Sequence, residues 1–169
     1  MMDEILIYRK GLPSEKESLK QLGIVSYNQF SKILSFEDWA TMDHFLNNDK
    51  MWDKLVNGST IFVCENKNKI IGMAYLVPNG HPTKIYPTDW SYVRMVGVHP
   101  DYRGKGIAKK LTQQCVDHAR DSKEKIVGLH TSEKMEGAQR IYESIGFKRY
   151  KEIDPIYGMR YWIYKLQLI

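Results

Sequence analysis

Two glycines separated by one lysine, Gly104-Lys105-Gly106, stand where an apolar strand must become an amphipathic helix, and this junction constrains the fold more than any other stretch. Upstream, Trp90 to Val98 reads as a strand. Downstream, Ile107, Leu111, Cys115 and Ala119 recur on one face of a helix predicted over Gly106 to Ser122. A glycine lacks a β-carbon, so its backbone takes dihedrals closed to other residues and its N–H can approach a ligand closely. The helix start adds unpaired N–H donors and a partial positive charge. Arg103, Lys105, Lys109 and Lys110 surround the turn with no acidic residue among them, in a chain whose formal net charge is +5. An anion of the pyrophosphate kind suits that arrangement.

The flanking pattern supplies the rest of the fold. Ile5 to Lys10 reads as a strand, and Ser14 with Glu17 reads as a capping box opening a first helix. Ser35 with Asp38 repeats that signal for a second helix carrying Trp39, Met42 and Phe45, ended at Asn57-Gly58. Thr60 to Glu65 and Ile70 to Val77 form an antiparallel hairpin about Asn66 to Lys69, and the segment from Pro78 to Asp89, with three prolines, is a loop. Lys125 to Thr131 is the next strand and Glu136 to Ile145 a helix closed by Gly146. Phe147 to Ile153 and Arg160 to Leu168 make a last hairpin about Asp154-Pro155. The order predicts one domain over residues 1–169, an α/β chain of the α+β type whose sheet is mostly antiparallel. A helical crossover makes the Trp90 and Lys125 strands parallel neighbours.

Two other phosphate-binding readings fail. A Walker A loop needs Gly-Lys-Ser/Thr, and Gly106 is followed by Ile107-Ala108. A dinucleotide fingerprint needs Gly or Ala where Lys109 stands, and belongs after the first strand of a parallel sheet. Nucleic-acid binding lacks an aromatic platform or recognition helix, and Asp101, Asp117 and Asp121 flank the basic turn. No apolar run approaches the roughly 20 residues that cross a bilayer, and the acidic start of the chain lacks signal-peptide regions, so a cytoplasmic location without export or membrane is expected. Cys64 and Cys115 stand apart, which argues against a structural metal or a disulfide framework.

Arg103 to Ala108 resembles the Arg/Gln-x-x-Gly-x-Gly/Ala signature of the GNAT N-acetyltransferases, preceded by the valine-to-proline strand end Val98-His99-Pro100. Ala138 to Phe147 is similar to their Ala-x-x-x-Tyr-Glu-x-x-Gly-Phe element, and the likeness runs from about Thr60 to the C-terminus. The resemblance implies acetyl-CoA as donor and direct attack by a primary amine of a small molecule or peptide. It implies that the N–H groups of Arg103, Gly104, Lys105, Gly106, Ile107, Ala108 and Lys109 hold the pyrophosphate. The backbone of Val96, Gly97 and Val98 would bond the pantetheine arm and thioester carbonyl, in a gap where the strand of Val96 splays from that of Lys125. Relatives often carry Asn where this chain has Met135.

Spacing alone puts Tyr142 on a core stripe with Ala138, Ile141 and Ile145; the family element makes it the general acid that protonates the leaving thiolate. The general base stays open among Asp89, His81 and water, with His99 read as structural. The acceptor is expected between the first two helices and the 78–89 loop, against Tyr27, Phe30, Trp39, Phe45, Trp52, Tyr86 and Trp90. A non-catalytic acetyl-CoA- or CoA-binding sensor is the competing reading. The final strand is expected to be exposed and able to pair with a second copy.

Overall fold

The structure is a computed structural model and describes residues 4–169; Met1 to Asp3, the start of the acidic N-terminal run, lie outside them. Seven strands form one sheet in the order β1-β2-β3-β4-β5-β7-β6. These are β1 (Ile7–Lys10), β2 (Thr60–Asn66), β3 (Lys69–Val77), β4 (Ser91–Val98), β5 (Ile126–Ser132), β6 (Lys148–Ile156) and β7 (Met159–Gln167). All neighbours are antiparallel except β4 and β5, the parallel pair joined through α4 (Ile107–Asp121). The expected α+β architecture is therefore the observed one.

Side-chain alternation sorts the helices to the two faces. In β2, Phe62 and Cys64 point to one core, shared with Leu111, Cys115 and Ala119 of α4 and with Tyr142 of α5 (Glu136–Ile145). Ile61 and Val63 point to the other, where α1 (Lys16–Tyr27) and α3 (Asp49–Gly58) bury Leu19, Leu22 and Trp52. A third cluster joins α2 (Phe36–Leu46) to β7, through Phe30, Met42, Leu46, Met159 and Tyr161.

Four expectations change. Ser14 caps nothing: it lies in a 3-10 turn, Pro13–Glu15, and Glu15 accepts the Leu12 N–H at 2.9 Å while pairing with Arg9 at 2.7 Å. The second predicted helix is two, because the Asn48 carboxamide accepts the N–H groups of Lys50 and Met51 and starts α3 afresh. Trp52 then donates its indole N–H to the Leu46 carbonyl at 2.8 Å, satisfying the end of α2. The last hairpin turns at Tyr157-Gly158, both with positive φ (53° and 71°). Asp154-Pro155 instead falls in a bulge of β6, where an outer strand tolerates proline. Finally, β7 lies between β5 and β6, so the last strand has no free edge; β1 and β6 are the edges.

Candidate active site

The site begins with an irregularity in β4. Met73 of β3 faces Gly97, yet Tyr75, two residues on, faces Arg94, so β4 carries one residue more than its partner over this step. Met95 takes it up at φ 52°, a left-handed conformation that is costly for a side chain of this kind. A bulge bends a strand and ends its pairing. β4 accordingly pairs with β5 only at Ser91 with Val127 and Tyr92 with Gly128, and beyond Tyr92 the two strands part. The outer backbone edge of Val93 to Val98 is left without a strand partner.

The head of this gap is the glycine turn. Gly104 and Gly106 sit at φ 79° and 77°, and a β-carbon at either would meet nothing within 4 Å, so conformation rather than space selects glycine. No side chain caps α4, which leaves the N–H groups of its first turn for a ligand. The basic side chains are partly engaged elsewhere. Arg103 donates to the Ser26 carbonyl and the Gln29 carboxamide, each at 2.7 Å, and fastens the turn to the end of α1. Lys105 pairs with Glu4, and Lys110 stands 4.1 Å over the Tyr8 ring. The His99 backbone N–H donates to the Ile71 carbonyl and its Nδ1 accepts the Asp101 N–H, and the residue lies outside the cavity described next.

A cavity of about 700 Å³ runs from this turn along the gap. Val96, Gly97, Val98, Arg103, Gly104, Gly106, Ile107, Ala108 and Tyr142 all line it, whereas Lys105 and Lys109 do not. A β-carbon at Gly97 would come within 2.8 Å of Ser26 Oγ, so a larger residue there would displace that side chain. The Val96 carbonyl already accepts the Tyr27 hydroxyl at 3.2 Å. Tyr142 is 8% exposed, its ring edge-to-face with Phe147 and Tyr164. Its hydroxyl makes no hydrogen bond to any described residue, and burial pushes the phenol well above its ordinary range.

The far end differs from the expected wall. Tyr27, Phe30 and Phe45 line it, joined by Met42, Ile156, Tyr157 and Tyr161, so the β6–β7 hairpin rather than the 78–89 loop closes it. Trp39 packs behind this wall, Trp52 is core, and Tyr86 and Trp90 fill a separate cluster at the closed end of the β4–β5 pair. His81 and Asp89 are exposed and outside the cavity. Two lining residues escaped sequence reasoning. Arg94 is the one charge in β4, and His130 of β5 is pushed down to about 4 by burial and by the Arg94 charge. The His130 Nδ1 lies 2.7 Å from the buried Tyr86 hydroxyl, a hydrogen bond that anchors the ring. Glu136, exposed at the start of α5, is the carboxylate lining the cavity among the described residues.

A sheet opened at its one parallel pair, with a glycine turn and an uncapped helix at the mouth of the opening, defines an acyl-transferase type of fold. The chain belongs to the acetyltransferase (GNAT) family, whose sequence model matches residues 26–147. It is 35% identical over 97 residues to the mycothiol acetyltransferase of Thermomonospora curvata, covering 57% of this chain and 30% of that protein. It is 38% identical over 66 residues to N-alpha-acetyltransferase 30 of Schizosaccharomyces pombe, covering 39% and 44%. The chain thus spans less than half the length of these curated relatives. The PaiA N-acetyltransferase of Thermoplasma acidophilum, solved with coenzyme A, superposes with a TM-score of 0.77 over 96% of this chain and 99% of its own, at 15% identity. The yncA protein of Salmonella typhimurium, solved with its cofactor acetyl-CoA, gives 0.71 over 97% and 94%, at 17% identity. No helix among the described residues is long and apolar enough to cross a membrane.

Proposed function

We propose that residues 1–169 act as one N-acetyltransferase unit that moves an acetyl group from acetyl-CoA to a primary amine of a small molecule or peptide, by direct attack in a ternary complex. One observation carries the reading: a single cavity joins the uncapped start of α4, the unpaired edge of β4 and the unpartnered Tyr142 hydroxyl. The residues fit the donor. N–H groups of the turn between Gly104 and Lys109 would hold the pyrophosphate, the Arg103 backbone N–H being already given to the Pro100 carbonyl at 3.4 Å, and the edge of Val96, Gly97 and Val98 along the gap would bond the pantetheine arm. Acetyl-CoA itself supplies an activated thioester. Buried, unpaired Cys64 and Cys115 suit the reducing cytoplasm as the place of work.

The chain's own groups address three demands. A lysine-like amine is neutral in roughly one molecule in 2,500 at pH 7, a cost of about 4.6 kcal/mol that transfer into this apolar cavity helps offset by favouring the uncharged form. With His81 and Asp89 exposed and outside the cavity, water and the neutral His130 imidazole are left to carry that proton away. A preorganised backbone N–H of β4 aimed at the developing oxyanion lowers the barrier by about 3–4 kcal/mol. Tyr142 gives its proton to the leaving thiolate. Burial raises the proton affinity of the phenol, and the same low-dielectric cavity raises that of the thiolate, so transfer between them is not penalised by desolvation alone.

Thiol release from acetyl-CoA across a library of primary amines tests the proposal. The expected result is amine-dependent release with one acetamide formed per thiol. Donor binding with no acceleration by any amine would favour the sensor reading instead.

A further inference from the structure

We propose that the far end of the cavity is a carboxylate subsite centred on Arg94, so that the acceptor is a small aminocarboxylate with an apolar body; this rests on the acetyl-transfer reading above. Arg94 stands on β4 just before the bulge, half-buried, and lines the cavity. It makes no hydrogen bond or ion pair with any described residue. A guanidinium carries five N–H donors in a fixed fork, and holding it partly desolvated without an anion is costly unless a ligand completes it.

The surroundings favour a carboxylate in particular. The charged residues lining the cavity are Arg94, Arg103 and Lys134 against the exposed Glu136, a balance that repels polycations and attracts an anion. Tyr157 and Tyr161 line the cavity with hydroxyls that have no hydrogen-bond partner among the described residues. A charged fork beside neutral donors is the donor set for two carboxylate oxygens. The charge of Arg94 acts on Tyr27, Tyr157 and His130 of the cavity, and also on Tyr86 and Tyr92 beyond it. Phe30, Met42 and Phe45 offer the apolar body its wall. The phosphates of the donor have their own site at the start of α4, so Arg94 is not needed there.

The test is calorimetric titration of the CoA-loaded protein with 3-phenylpropionate and with its neutral amide. The acid is expected to bind and the amide to bind far more weakly; Arg94→Gln should loosen the acid by about 10- to 150-fold, and Arg94→Lys by less. In turnover, the ratio of kcat/KM for phenylalanine to that for phenylalanine amide should favour the acid and collapse toward one in Arg94→Gln. Equal binding of acid and amide, binding of neither, or an equal loosening of CoA by Arg94→Gln would each overturn the subsite. Carboxylate binding that follows the expected pattern with no amine acetylated would instead sink acetyl transfer and leave the subsite standing. Acetylation of amines regardless of carboxylate, peptide N-termini included, would do the reverse.

Discussion

Tyr142→Phe should do opposite things to stability and to turnover, and that contrast separates a catalytic hydroxyl from a core tyrosine. The ring is 8% exposed and packed against Phe147 and Tyr164 at centroid distances of 6.1 and 6.5 Å, contacts that phenylalanine keeps. The hydroxyl has no partner to lose among the described residues. Leaving a buried hydroxyl unpaired costs about 1–3 kcal/mol, and because this one borders the cavity only part of that is recovered, so the variant should be neutral or up to about 1 kcal/mol more stable. Loss of a general acid lowers turnover by about 10²- to 10⁴-fold, or about 2.7–5.4 kcal/mol. Urea unfolding gives the first number and thiol release the second, with acetyl-CoA affinity measured alongside and expected to move little. Turnover within threefold of the parent, or a stability loss above about 1 kcal/mol, would refute the reasoning, since the hydroxyl would then be structural.

Two further perturbations follow from backbone and burial. Gly106→Ala places a side chain at φ 77° in open space, so it should cost about 1–2 kcal/mol by conformation alone and weaken CoA binding; Gly58→Ala, at the end of α3 with open space and no positive φ, should stabilise by about 0.4–1 kcal/mol. Because both positions are in open space, thermal melts of the two isolate the backbone strain at Gly106, and equal effects would contradict it. His130 is depressed to about 4 from an ordinary 6.5, so its contribution is fully present above pH 6.5 and is lost as the pH falls toward 4, by up to about 3 kcal/mol. His130→Gln should flatten the unfolding free energy between pH 6.5 and 5, and an unchanged slope there would remove His130 as its source.

The strand, glycine turn and helix around Gly104 were legible because three local signals agree: an apolar strand, two residues free of a β-carbon, and an apolar stripe from Ile107 to Ala119. Gly146 was legible for the same reason, with φ 118° where a left-handed cap was required. Met95 was not, since nothing in its local sequence asks a methionine to adopt a positive φ; the bulge is imposed by the pairing of β4 with β3. The break at Asn47-Asn48 was hidden because the apolar periodicity runs on across it through Leu46 and Trp52. The far wall of the cavity brings Tyr27, Phe45 and Tyr157 together from across the chain, a convergence only the sheet order creates. Arg94 passed unremarked because one charge in an apolar strand carries no motif, and only the structure shows it without a partner among the described residues.

In the proposed complex the donor lies along the opened β4 edge with its phosphates at the start of α4. Hydrogen–deuterium exchange with and without CoA measures this on the amides themselves. Protection confined to Val96–Val98 and the segment from Gly104 to Lys109, with α3 unchanged, is the predicted result; CoA binding that leaves the start of α4 exchanging as before would contradict it.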